Sequence, residues 1–142
     1  MGIPHHRILA LLCVALPAAG LVACGSTVST AFKGEQHEVA QAIANLQTDA
    51  KNADEQRICT HDLAGARVAS LNRASGGCKE AIKSQLTDVD NFNLTVQSIQ
   101  VDTAHTPPTA SASVTSTYSG KTRTSTLLLV KEAGTWKISG VQ

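Results

Sequence analysis

Residues 127–140 read LLLVKEAGTWKISG, and this stretch sets the architecture. Four consecutive apolar residues, Leu127 to Val130, run into Lys131-Glu132 and then an Ala133-Gly134 break. After the break Trp136 and Ile138 alternate with polar neighbours and share one face. A period of two on either side of a two-residue break reads as two strands joined by a tight turn. The unbroken Leu127–Val130 run predicts a central strand covered on both faces. Upstream, Ser119-Gly120 marks another turn. Before it Ala110, Ala112, Val114 and Tyr118 alternate with Ser111, Ser113, Thr115 and Thr117, as a strand with one buried face does. Residues 93–102 (NLTVQSIQVD) alternate as well, with a phase slip between Val96 and Ile99 that predicts a bulge. Pro107-Pro108 closes the loop that follows. The second half of the chain is therefore expected to be a four-stranded antiparallel meander.

The first half carries helical spacing. Val39, Ile43, Leu46 and Ala50 form one apolar stripe on a helix of about Glu38 to Glu55, with Gln41, Gln47, Asp49 and Lys51 on the solvated side. A second helix is expected after Cys59. Thr60 would be its N-cap, Asp62 would complement the dipole in its first turn, and Gly76-Gly77 would stop it. Its apolar side is Leu63, Ala66, Val68 (or Ala69) and Leu71. A third, short helix starts at Cys78 and packs through Ala81, Ile82 and Leu86. Three helices followed by four strands make an α+β fold.

Ahead of this domain lies a leader. Arg7 and the amine of Met1 precede an apolar run from Ile8 to Val22, too short and too broken by Pro17 for a spanning helix, which needs about 20 apolar residues. The run ends in Leu21-Val22-Ala23-Cys24, which resembles the lipobox of bacterial lipoproteins. The resemblance implies a signal peptide over 1–23, lipidation of Cys24 with acyl groups such as palmitate, and a protein held on the extracytoplasmic face of the cell membrane. An ordinary secretory signal cut near Ala18-Ala19 or Ala23 is the alternative. Residues 24–35 then form a lipidated tether, and 36–142 the domain. Its flexible part, Gly25 to Gly34, spans roughly 15–20 Å.

Charge narrows the partners. The chain has 12 basic and 11 acidic side chains; loss of Arg7 with the leader balances them. A neutral chain without a basic cluster does not suit nucleic-acid binding, where neutralised phosphates dominate affinity. Cys13 leaves with the leader, so Cys59 and Cys78 remain in the folded part. In an exported protein such a pair reads as a disulfide, here clipping the start of the second helix to the start of the third. No Cys-x-x-Cys or second His partner for His61 suggests a metal site, and no cofactor motif is present.

Helices first, a meander after, and the closing segment Val130 to Ile138 (VKEAGTWKI) together resemble the NTF2-like superfamily, and the Cys59…Gly77-Cys78 pair resembles its small actinobacterial-type lipoproteins. The resemblance covers about Gln36 to Gln142. It implies a cone in which a bent sheet wraps the helices and can leave a pocket at its open end. Val114, Tyr118, Leu128, Trp136 and Ile138 are the residues expected in that pocket or its core. The superfamily holds isomerase- and dehydratase-like enzymes as well as silent binding modules, so fold does not decide activity.

Catalysis would need a base and an opposing donor. Asp102, His105 and Tyr118 are the weak candidates; Pro107-Pro108 argues that the first two sit on a solvated loop. Asp88 and Asp90 lack the glycine and terminal glutamate of an EF-hand. The favoured reading is a non-catalytic, membrane-tethered binding module for a protein partner or small apolar ligand. A ketosteroid-isomerase/dehydratase-like enzyme and an envelope structural or interaction protein are the alternatives.

Overall fold

A computed structural model describes residues 31–87, 92–118 and 120–142, the side chain of Tyr118 excepted. The leader, Cys24 and the Asp88–Asp90 segment lie outside the described residues. The elements are α1 (Glu35–Lys51), α2 (Glu55–Arg57), a π-helical turn (Ile58–Asp62), α3 (Gly65–Leu71) and α4 (Gly77–Thr87). Strands β1 (Asn93–Asp102), β2 (Thr109–Tyr118), β3 (Lys121–Glu132) and β4 (Thr135–Val141) follow. They form one antiparallel sheet in the order β1-β2-β3-β4, the expected meander. No helix among the described residues is long and apolar enough to cross a membrane.

Alternation decides the inner face of the sheet. Ile99, Ala110, Ala112, Val114, Leu127, Leu129, Trp136 and Ile138 are buried there against Val39, Ala40 and Ile43 of α1. The β1 ladder slips between Val96 and Ser98, where the phase break predicted a bulge. The two-residue hairpin Ala133-Gly134 has positive φ at both positions (49° and 82°), as a type I′ turn requires.

Four expectations are corrected. The Leu127–Val130 run is not covered on both faces: Leu127 and Leu129 are buried, whereas Leu128 and Val130 are half-buried on the outer face. A second, continuous helix does not form. Leu63 turns extended and makes a parallel bridge to Ile138, and the Ala64 amide donates to the Ile138 carbonyl at 2.8 Å. That bond with the sheet replaces an intrahelical one, so the segment splits into α2, the π turn and α3. Thr60 is accordingly no N-cap: its hydroxyl donates to the Gln56 carbonyl, and Asp54 caps α2 by accepting from the Arg57 amide. Finally, Gln47, Asp49 and Lys51 are not simply solvated. Gln47 Oε1 accepts from the Leu94 amide at 2.7 Å and Lys51 Nζ donates to Asn93 Oδ1, while Asp49 is buried. With Gln36 Nε2 donating to the Ile99 carbonyl, they tie α1 along the β1 edge and satisfy part of the unpaired row an edge strand presents.

The Cys59–Cys78 disulfide is formed and joins the π turn to the first turn of α4, both sulfurs in buried residues. Phe32, in the expected tether, packs on the core. At the first residue of α1, Glu35 accepts from Lys131 Nζ and from the indole N–H of Trp136, each at 2.8 Å. These donors, Lys131 first, hold the Glu35 carboxyl below the usual carboxylate range.

Candidate functional site

A cavity of about 360 Å³ opens between the helices and the inner face of the sheet. Its floor is apolar and built by packing: Ile58 from the π turn, Leu63 from the bridge, Ile82 from α4, and Val114, Leu127 and Ile138 from the sheet, all buried. Leu46, Leu86, Phe92 and Leu94 form half-buried walls. Polarity appears at the rim, where Ser116 and Ser125 continue the inward-facing positions of β2 and β3 and Arg67, Gln85 and Val141 are exposed. Pockets of this size and lining suit small molecules, with a few polar groups setting orientation.

Arg67 owes its place to the broken helix. Once Leu63-Ala64 has docked on β4, α3 starts at Gly65, and Ala64 offers no side chain to cap it. The cap comes from the closing hairpin: both oxygens of Glu132 accept from the Gly65 amide at 3.1 Å. Val68 and Leu71 then pack on the core and Arg67 falls at the cavity mouth. Among the described residues, Arg67 is the cavity's one ionisable side chain and has no hydrogen-bond or ion-pair partner.

The residues singled out in the sequence separate in space. Val114 and Ile138 line the cavity. Trp136 is buried outside it, between the Glu35 contact and a second hollow of about 550 Å³. Leu128 belongs to the outer face, with Asp102, Ser111 and Ser139; its place in a four-residue apolar run hid its orientation. The Tyr118 side chain lies outside the described ones. Asp102 and His105 do meet, at 2.7 Å, but on the exposed β1–β2 loop and away from the cavity. Asp102 also accepts from the Ala104 amide at 2.9 Å. That bond first, and His105 second, hold its carboxyl below the usual range. The pair closes a turn.

One cluster escaped the sequence reading. Asp62, assigned to a first turn, is buried in the π turn. Asp49 is buried beside it and pairs with Arg57 Nε at 3.1 Å. Burial first, then the neighbouring Asp49 charge, pushes the Asp62 carboxyl up to about 7. Its Oδ2 is buried without a hydrogen-bond partner among the described residues. Asp62 edges the second hollow together with Arg57, His61, Glu132 and Lys137. The one signal in the sequence was the adjacency of Asp49 to the buried stripe residue Ala50.

No protein-family profile and no curated protein sequence matches the chain. A designed NTF2-like protein of solved structure (Rd1NTF2_05, in a five-substitution form) matches with a TM-score of 0.50 at 16% identity, covering 77% of this chain and 98% of that one. The fold is NTF2-like. At that identity the likeness carries the architecture alone. The apolar cavity lies between the helices and the inner face of the sheet, with Arg67, Gln85 and Val141 exposed at its mouth.

Proposed function

We propose that this chain is a membrane-tethered, extracytoplasmic NTF2-like module that binds a small apolar ligand in its cone without chemical turnover. The cavity carries the reading: a buried aliphatic floor with no carboxylate or imidazole among its described lining residues. Proton transfer needs an acid or base within hydrogen-bond reach of the reacting atom. Asp102 and His105 are instead occupied with each other in a surface loop. A ligand seated here gains roughly 25 cal/mol for each Å² of apolar surface removed from water, enough to hold a hydrocarbon body without a dedicated polar partner. The tether reading rests on the Leu21-Val22-Ala23-Cys24 sequence. Two or more acyl chains give stable anchoring where one gives marginal binding.

Each half has its own test. Fluorescence of an apolar naphthylamine probe should rise on binding to the wild type and not to Ser125→Trp, whose indole fills the cavity from β3. Equal enhancement by both proteins refutes the pocket. Labelled palmitate should enter the wild type and not Cys24→Ala in a bacterial host; labelling of both refutes the anchor.

A further inference from the structure

We propose that the cone takes a single-chain amphiphile with an anionic head, its tail on the aliphatic floor and its carboxylate on the Arg67 guanidinium. This inference rests on the apolar-ligand reading of the cavity and adds what kind of ligand it is. The polarity runs in one direction. Ile58, Leu63, Ile82, Val114, Leu127 and Ile138 are buried at the bottom, whereas the exposed side chains are at the mouth. A uniformly apolar guest would leave the mouth groups unused; a tail with a polar end matches the whole gradient.

The sign of the head follows from charge. Arg67 is the one ionisable side chain among the cavity's described lining residues, and it has no carboxylate of its own. Arg57 and Lys131 do not line the cavity and are engaged elsewhere, Arg57 by Asp49 and Lys131 by Glu35 and Glu38. A guanidinium at an apolar rim lays its methylenes along hydrocarbon and keeps its planar head at the water boundary. That fork presents two parallel N–H groups, which match the two oxygens of one carboxylate. Gln85, also exposed at the mouth, supplies a neutral amide that can add a donor to the same head. A cationic head would meet Arg67 as a like charge, and a neutral head would forgo the charge-assisted bonds. The Glu132 cap on Gly65 fixes the helix that aims Arg67, so the anchor is held from the hairpin and not by the ligand alone.

Isothermal titration calorimetry on the full chain in detergent-free buffer, below micelle concentrations, tests this with decanoate, decanol and decyltrimethylammonium. Decanoate should bind one per chain and about tenfold more tightly than decanol, the gain expected of one charge-assisted contact at a wet rim. Decyltrimethylammonium should bind at least tenfold more weakly than decanoate. Arg67→Gln should bring decanoate down to the affinity that decanol has for the same variant; Arg67 is exposed, so the variant keeps the fold. Arg67→Lys should retain part of the preference. Equal binding of all three probes, unmoved by Arg67→Gln, overturns the head-group assignment and leaves the apolar pocket standing. Binding of none of them overturns both.

Discussion

Replacing Asp62 by Asn should make the protein more stable at pH 8 and have much less effect at pH 4. Asp62 is 7% exposed, its Oδ2 has no partner, and Asp49 lies against it. Its pKa therefore rises from 3.8 to about 7 on folding. For a carboxyl raised in the native state, folding takes up a proton between those two values, so stability falls as pH rises through that window. Well below pH 3.8 Asp62 is neutral in both states and there is no penalty; well above about pH 7 the penalty is complete. The full shift corresponds to roughly 4 kcal/mol at about 1.4 kcal/mol for each pH unit the pKa moves. Relaxation of Arg57 toward the new charge reduces the expected effect to about 2 kcal/mol. Asn keeps the shape and an N–H donor for Asp49, so it removes the titration without opening a cavity. Urea unfolding at pH 4.5, 6 and 8 with the disulfide intact gives the two stability curves. Glu35 and Asp102, whose carboxyls are held low, give the opposite slope at more acidic pH, and they cancel in the difference between variant and wild type. Curves that run parallel from pH 4.5 to 8 would refute the buried-carboxyl account.

Reducing the Cys59–Cys78 bridge, which spans 19 residues of sequence, should cost about 3 kcal/mol in the chain-entropy view, read as a lower urea midpoint in reductant. Ala133→Asn should stabilise by roughly 0.5–1 kcal/mol because Ala133 holds φ 49° in a type I′ turn, where Asn is at ease; the thermal midpoint measures it. Gly76→Ala should destabilise by more than about 1 kcal/mol, since φ is +87° and the new Cβ would lie 2.7 Å from Glu80 Cβ. Gly134→Ala meets open space and should cost less than that, so denaturation of the two variants side by side separates contact from backbone strain.

Period and punctuation made the sheet legible. Ala133-Gly134, Ser119-Gly120 and the slip after Val96 marked its hairpins and bulge, because turn chemistry and side-chain alternation are local properties. Val114 and Ile138 could be placed on the buried face of the sheet for the same reason. What could not be read was set by contacts across the chain. Leu63-Ala64 leaves helical geometry for a bond to Ile138, a residue whose helix-breaking effect has no trace near position 63. Asp62 looked like a dipole-complementing first-turn residue until that break buried it. Leu128 looked like core because a run of four apolar residues conceals which two face inward. Arg67 drew no attention, since one arginine on a short helix acquires meaning only when the cavity forms beneath it.

The central claim is that the cone is an apolar binding site, and methyl resonance mapping tests it most directly. Titration of the isotope-labelled chain with decanol should shift the methyls of Ile58, Leu63, Ile82, Val114, Leu127 and Ile138, with Leu128 and Val130 on the outer face unmoved. Shifts confined to the outer face, or none at saturating decanol, would contradict the account.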